Sequence, residues 1–266
     1  MSQAKREVAR YTTQLGAGLG LVNETKALLE LWDPGMTIIQ LFQTALRSGR
    51  FPNITARRLR NVVTECFAPR YLVHEGAPAL HLKRMSPSLS PAELQQMLFL
   101  FTCRASSILA DFVREVYWQK YVGGHGEISN YDARAFVQRA IDHGKAGERW
   151  SESTVKRQSS YLTRCAADFG LLEDGSKSTR RLLPYRISSR VSAYLAHDLH
   201  FSAIGDNALL DHPDWELFGL SRHDVLDELK RLSLNGFLIL QAAGSAIKIS
   251  WKFKEMETLS NVLTQS

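Results

Sequence analysis

The chain has 266 residues, of which 44% are hydrophobic and 23% charged, as is ordinary for a folded protein. Its formal net charge of +6 favours an anionic partner but does not require one. No apolar run approaches the roughly 18 residues of a membrane span, and the first residues lack the apolar core of a signal peptide. We therefore expect a soluble, cytoplasmic protein that does not enter a membrane.

The first part of the chain is typical of a series of helices. Residues 21–32 place three leucines and a tryptophan at helical spacing and end before an Asp-Pro-Gly turn. Thr37 is a suitable N-cap for a second helix that ends at Gly49. Thr55 is a suitable N-cap for a third helix, which has an apolar stripe on one side and arginines on the other. We expect a helical N-terminal domain over residues 1–125.

A loop and a central helix are predicted next. Residues 75–91 contain three prolines and have the composition of a loop. Ser90, Pro91 and Glu93 then combine an N-cap, a first-turn proline and a carboxylate three residues after the cap, which predicts a helix start. This strongly apolar helix can continue towards residue 121. The Gly-Gly-His-Gly segment at 123–126 predicts a hinge and a domain boundary.

The second half of the chain shows one order of elements twice. In residues 126–190 a helix, a turn, a second helix and two short strands around a charged loop predict a winged helix-turn-helix. In residues 191–266, Ser221 and Asp224 form a capping box on a helix, and two alternating apolar runs around a glycine predict a hairpin. The expected fold is mainly α: a helical N-terminal half followed by one or two winged helix-turn-helix units with short β-hairpin wings.

The second helix of the first unit has two chemically different faces. With Ser151 as its N-cap, a helical period places apolar side chains on one face and only hydroxyls and cations on the other. A face of one charge forgoes the favourable pairs that surface helices normally make. Short hydroxyls allow close approach to the major groove of DNA, and cations reach phosphates or guanine acceptors. The predicted DNA-binding residues are Ser153, Thr154, Lys156, Arg157, Ser160 and Arg164 on the helix, and Lys177, Arg180 and Arg181 on the wing.

Other interpretations of these charges remain open. The helix face could be solvated, since amphipathic helices with basic faces are common, or it could dock a protein, since winged helices also serve as protein-docking modules. Arg57, Arg58 and Arg70 are candidate secondary DNA contacts, although a solvated helix face explains them more simply. The second unit is rich in acids, which we expect to repel phosphates, so that unit is expected to dock protein or to pack internally. Only Lys248, Lys252 and Lys254 there could help to bind an anion.

Patterns of the familiar catalytic and metal sites are missing from the sequence. Residues 16–21, GAGLGL, lack the glycine spacing and the GK[ST] of nucleotide-binding loops. The pair His197 and His200 has no evident third ligand. The three cysteines are far apart, without a CxxC pair, and lie among apolar neighbours, which favours buried thiols. We expect a protein that is not an enzyme and uses no metal or small-molecule cofactor.

The N-terminal segments RYTTQLGAGLGLVNETKALLELW and ITARRLRNVVTECFAPRYL resemble the BrxA family of BREX (bacteriophage exclusion) phage-defence systems. The resemblance extends over nearly the whole chain and rests on a general pattern rather than on a catalytic signature. It implies a small accessory protein encoded with a methyltransferase, an alkaline-phosphatase-like protein and ATPases, and other BREX components as partners. Some relatives have been labelled inner-membrane proteins, which the sequence argues against.

Three functions follow as alternatives. The first is a non-catalytic component that binds double-stranded DNA through the recognition helix and the basic wing. The second is a scaffold whose winged helices hold partner proteins. The third follows from a reported likeness of the family to the antitermination protein NusB, which binds RNA. RNA binders usually stack bases on exposed aromatic side chains, and the predicted winged helices show no evident cluster of these, which disfavours RNA.

Overall fold

The computed structural model describes residues 10–147, 149–175, 178–243 and 246–265. It is mainly helical, with two small antiparallel sheets of two strands each. The expectation of a mainly α fold is therefore confirmed.

The N-terminal helices begin where their caps predict. The hydroxyl of Thr37 accepts a hydrogen bond from the Gln40 amide, and the Gln40 side chain accepts from the Thr37 amide, which closes a capping box. Thr55 caps the next helix through the Arg58 amide. The elements are a 3-10 turn at Gln14–Ala17, α1 (Val22–Leu31), α2 (Ile38–Arg47), α3 (Ala56–Asn61), a π-helical segment at Val62–Phe67, and α4 (Ala68–Tyr71).

The expectation of a loop over residues 75–91 is wrong for most of that range. After a short 3-10 turn at His74–Gly76, the chain forms helix α5 (Ala77–Met85). Pro78 lies in the first turn of α5, where a missing amide hydrogen costs no helical hydrogen bond. Proline content indicated a loop, but the proline at a helix start is compatible with the helix.

The central apolar run forms two helical stretches rather than one helix. Helix α6 (Pro91–Ala105) begins with the predicted Ser90–Glu93 capping box. The chain then bends by 114° at Ser106, whose backbone is extended. It continues as α7 (Ser107–Phe112), a π-helical segment at Val113–Tyr117, and α8 (Trp118–Val122). In the described chain no single helix is long and apolar enough to cross a membrane, and only this bent pair reaches that length and composition.

The next unit combines two helices with short strands. Its elements are β1 (Glu127–Ser129), α9 (Asn130–Asp142), α10 (Glu152–Asp168) and β2 (Thr179–Arg181). Strands β1 and β2 pair antiparallel, with Ile128 opposite Arg180. A separate antiparallel bridge pairs Leu172, in the segment after α10, with Leu182, which directly follows β2. The strand before α9 thus pairs with the strand that follows α10.

The C-terminal unit has the predicted order of helices and hairpin. Ser221 and Asp224 form the expected capping box, and a two-stranded antiparallel hairpin follows that helix. The hairpin turn at 244–245 lies outside the described residues. The elements are α11 (Ser189–Phe201), α12 (Asp206–Leu210), α13 (Pro213–Glu216), α14 (Arg222–Leu234), β3 (Leu238–Ala243), β4 (Ala246–Trp251) and α15 (Met256–Gln265).

Apolar packing connects all parts of the described chain. One cluster of buried side chains extends from Tyr11 to Leu263. Hydrogen bonds also connect the expected domains: the Tyr117 hydroxyl donates to the Leu183 carbonyl oxygen at 2.7 Å, across the boundary near 125, and the Trp118 Nε1 donates to the Leu217 carbonyl oxygen at 3.0 Å, between the first and the last domain. The division into domains at 1–125, 126–190 and 191–266 therefore stays a prediction.

Ion pairs attach the C-terminal unit to the helical half. Arg104 on α6 contacts Asp198 at 2.7 Å and Asp214 at 2.8 Å, and Arg114 contacts Glu216 at 3.3 Å. Three of the acids expected to repel phosphates are thus paired with arginines, and Asp198 and Asp214 share Arg104. The sequence showed the acids of this unit but not their partners, which lie about a hundred residues earlier in the chain.

Candidate nucleic-acid interface

Helix α10 is fixed at its start by a hydroxyl cap. The Ser151 hydroxyl accepts a hydrogen bond from the Thr154 amide at 3.3 Å. The same hydroxyl lies 3.1 Å from the Ser153 Oγ and 2.9 Å from the Thr154 Oγ1. These contacts satisfy a first-turn amide that the helix itself cannot pair, which explains why the helix starts here.

One face of α10 is buried against the protein. Val155, Leu162 and Ala166 are each 3% exposed or less, as the helical period predicts. The polar side chains on this face have partners within the protein. Thr163 donates to the Asn130 Oδ1 on α9 at 2.8 Å, and Gln158 donates to the Thr13 carbonyl oxygen at 3.3 Å. Packing against α9 and the N-terminal segment thus fixes which face of α10 is turned to solvent.

The opposite face of α10 is exposed and carries no acid. Its side chains are all exposed except Thr154, which is half-buried. Arg157 makes one long hydrogen bond, at 3.4 Å, to the Thr154 hydroxyl. In the part of the chain that the structure describes, Lys156, Arg157 and Arg164 on this face form no ion pair. This face, called the α10 face below, consists of Ser153, Thr154, Lys156, Arg157, Ser160 and Arg164.

The two acids that border the α10 face are both engaged. Glu152 accepts a hydrogen bond from Arg134 on α9 at 2.8 Å. Asp168 accepts from the Gly20 amide at 2.9 Å, and burial raises the pKa of its carboxyl. The negative charge next to the face is therefore partly neutralised at one end and partly buried at the other.

The C-terminal end of α10 is less favourable for an anion. Arg164 and Arg58 line one cleft, so the structure brings these two predicted residues together. Glu24, Asp168 and Asp174 line the same cleft, so its acids outnumber its arginines. Phosphates are therefore better accommodated towards the N-terminal end of the face, at Lys156 and Arg157.

The predicted wing residues separate in the structure. The Arg181 side chain is 65% exposed and lies 3.9 Å from the Glu173 carboxylate. Arg180 is only 6% exposed, and its guanidinium donates to the Glu173 carbonyl oxygen at 3.0 Å. Alternation along β2 turns Arg180 inward, which corrects its expected place on an exposed wing. Lys177 lies outside the described residues.

The predicted N-terminal arginines also separate. Arg57 is exposed on α3. Arg58 is exposed too, but its guanidinium donates to the Ala17 carbonyl oxygen. Arg70 is 6% exposed and donates to the carbonyl oxygens of Gly18 and Leu19, so it holds the glycine-rich segment. Its expected role as a DNA contact is contradicted by this burial.

Sequence reasoning missed two exposed arginines near the start of α10. Arg149 lies two residues before the Ser151 cap, and Arg10 lies beside Gly147 in the same turn. The proximity of Arg149 to a predicted helix start was readable from the sequence. The position of Arg10 depends on a contact over more than a hundred residues, which no local pattern shows.

The described residues contain no group of three or more His, Cys, Asp or Glu side chains suited to a metal ion. The cysteines are buried and unpaired, as predicted, and burial raises the pKa of each thiol, that of Cys165 to about 12. His197 is fully buried with its Nδ1 2.8 Å from the Ala193 carbonyl oxygen, while His200 stacks on Trp251. Both histidines are therefore used in packing.

Comparison with known proteins gives a family and a similar fold. A family model described as BrxA matches residues 9–198. The crystal structure of an uncharacterized protein from Magnetospirillum magneticum is similar, with a TM-score of 0.57 and 18% sequence identity. The similarity covers 73% of this chain and 96% of that one. No curated protein matches the chain.

Proposed function

The chain belongs to the BrxA family, and we propose that it is a non-catalytic component of a BREX phage-defence system that binds double-stranded DNA through the α10 face. Membership of the family indicates a BREX component. Beyond this membership, we propose that the chain binds DNA and that residues of the α10 face make the contacts.

The order of elements around α10 supports this proposal. Strand β1, helices α9 and α10, the bridge at Leu172 and strand β2 follow each other as in a winged helix-turn-helix. In such units the second helix lies in the major groove and the strands approach the neighbouring backbone. We assign α10 as the recognition helix and the segment before β2, with Arg181, as the wing.

The observation that carries the proposal is the uncompensated charge of the α10 face. Lys156 and Arg157 are exposed, have no described ion pair and are flanked by small hydroxyls. Each of these features favours close approach to a phosphate backbone. We assign Lys156 and the hydroxyls to phosphate contacts and Arg157 to a base edge, where a guanidinium can bind the guanine O6 and N7.

The test is duplex DNA binding, measured by fluorescence anisotropy over a salt series. The variant Lys156→Ala/Arg157→Ala/Arg164→Ala should bind on the order of 100-fold more weakly, if each contact contributes about 1 kcal/mol. Its plot of log K against log salt should be shallower by about 0.9, because of the three side chains removed only Lys156 is assigned to a phosphate and each phosphate contact contributes about 0.9. Circular dichroism should show an unchanged fold, because all three side chains are exposed.

The matched control removes the same charge elsewhere. Lys26→Ala/Arg47→Ala/Arg60→Ala changes three exposed cations of α1, α2 and α3 that have no described ion pair. Equal losses in the two variants would show that only net charge matters and would contradict the assignment of α10. Failure of the wild-type protein to bind duplex DNA at low salt would contradict DNA binding itself, and preferential binding of single-stranded RNA would favour the NusB-like alternative.

A second candidate function is protein docking by the C-terminal unit. Leu234, at the end of α14, is 88% exposed and Ile239 on β3 is 60% exposed. Large apolar side chains exposed to this degree on neighbouring elements are typical of protein contacts. Loss of pull-down of other BREX components by Leu234→Ser/Ile239→Ser, with DNA binding unchanged, would support this function.

A further inference from the structure

The N-terminal segment is attached to the turn between α9 and α10. The Tyr11 amide donates to the Lys145 carbonyl oxygen at 2.8 Å, and Tyr11 forms a parallel bridge with Ala146. The Tyr11 hydroxyl donates to the Asp111 carboxylate at 2.6 Å, and its ring is 4% exposed. Lys145 lies over that ring and pairs with Asp111 at 3.0 Å. This position of the chain is therefore fixed by a backbone pairing, a buried ring and an ion-pair cluster.

Because Tyr11 is fixed in this way, its neighbour Arg10 lies beside the turn that leads into α10. Arg10 is exposed, and a Cβ atom built on Gly147 would lie 3.4 Å from the Arg10 Cδ. Arg149, also exposed, follows Gly147 by two residues and precedes the Ser151 cap. Among the described residues, no carboxylate pairs with either arginine. Two guanidiniums without a carboxylate partner among the described residues thus lie at the turn that leads into α10; Glu148, between Gly147 and Arg149, lies outside those residues.

We propose that Arg10 and Arg149 form a second DNA-contacting patch, which binds the phosphate backbone next to the groove occupied by α10. The inference rests on the proposed function, because it assumes that α10 contacts DNA. A turn that enters the major groove ahead of a recognition helix passes close to one backbone strand. Cations at that turn fix register and add affinity without reading sequence. The N-terminal segment is thereby part of the DNA-binding unit, although it is distant from it in sequence.

The experiment uses the full chain with Arg10→Ala/Arg149→Ala and a defined duplex. We expect the slope of log K against log salt to become shallower by about 1.8, since two phosphate contacts of about 0.9 each are lost. In a hydroxyl-radical footprint, protection should be lost at one edge of the site while the centre remains protected. Arg10→Lys/Arg149→Lys should keep the wild-type slope, because a phosphate contact requires charge rather than a planar guanidinium.

The matched control is Arg47→Ala/Arg60→Ala, which removes two exposed arginines of α2 and α3 that have no described ion pair. The patch would be overturned if the slope of Arg10→Ala/Arg149→Ala equalled that of the wild type or of this control. The proposed function would stay intact in that case if the α10 variant bound DNA more weakly than the wild type. If the α10 variant also bound like the wild type, the proposed function itself would fail. A lysine variant as weak as the alanine variant would overturn the assignment to phosphates.

Discussion

Helices α10 and α14 each precede an antiparallel pairing, the Leu172–Leu182 bridge after α10 and the β3–β4 hairpin after α14, yet their charges are used differently. On α14, Lys230 pairs with Asp227 at 2.8 Å and Arg231 with Glu228 at 2.7 Å. Arg222, at the start of the helix, pairs with Asp211. On α10, no described carboxylate pairs with the cations of the exposed face. A helix whose charges are paired within the chain has little left for a phosphate, whereas unpaired cations are available to a partner.

The same contrast separates structural charges from available charges elsewhere in the molecule. Arg104 and Arg114 join the helical half to the C-terminal unit, and Arg70 and Arg180 hold backbone carbonyl oxygens. The net charge of +6 is a total for the chain and therefore does not show where the unpaired cations lie. We therefore expect substitutions of paired charges to change stability, and substitutions of unpaired cations to change the proposed binding of DNA.

The largest expected change in stability comes from removing Arg104, a cation that is paired within the chain. Arg104→Ala should lower the free energy of unfolding by about 3–5 kcal/mol, because it leaves Asp198 and the largely buried Asp214 without their partner. Urea unfolding monitored by circular dichroism measures the change. DNA binding by the protein that remains folded should keep the wild-type salt slope, since Arg104 is not on the α10 face.

Lys230→Ala is the control for Arg104, because it breaks an ion pair between exposed side chains. We expect little or no measurable change, because solvent screens an ion pair between exposed side chains. Equal losses in the two variants would contradict the view that the Arg104 pairs attach the C-terminal unit.

A smaller effect should appear as a pH dependence of stability. Burial lowers the pKa of His197 to about 4, whereas an exposed histidine titrates near 6.5. Between these pH values the unfolded chain binds more protons than the folded chain, so the free energy of unfolding falls as pH falls from about 6.5 to about 4. The contribution of His197 is up to about 3 kcal/mol.

The test of this pH dependence is urea unfolding between pH 7 and 4 for the wild type and His197→Gln. The variant should show a weaker dependence on pH, because glutamine does not titrate. Some dependence should remain, since burial also lowers the pKa values of His81 and His212. An identical pH dependence in the two proteins would contradict the assignment to His197.

Local patterns in the sequence were sufficient for helix starts and for the face of α10. Hydroxyl caps at Thr37, Ser90 and Ser221 act over three residues, and an amphipathic period fixes which side of a helix is buried. Such signals are contained within one element, so a single sequence shows them.

The burial or position of several arginines depends on contacts between distant parts of the chain, which the sequence did not show. Arg180 is turned inward because β2 pairs with a strand about fifty residues earlier, and Arg70 is buried because the glycine-rich segment packs over it. The partners of the acids in the C-terminal unit and the position of Arg10 likewise depend on distant parts of the chain. Residue type alone therefore overestimates the number of arginines available to an anionic partner.

The most direct test asks which helix lies on DNA. Because Cys66, Cys103 and Cys165 are buried, a cysteine placed on the surface can be labelled selectively with a DNA-cleaving or photocrosslinking reagent. Ser160→Cys places the label on the α10 face, and Lys230→Cys places it on the exposed side of α14. We expect cleavage or crosslinking of bound duplex from position 160 and none from position 230. Reaction from position 230 alone, or from neither position while the duplex stays bound, would contradict the assignment of α10 as the DNA-binding helix.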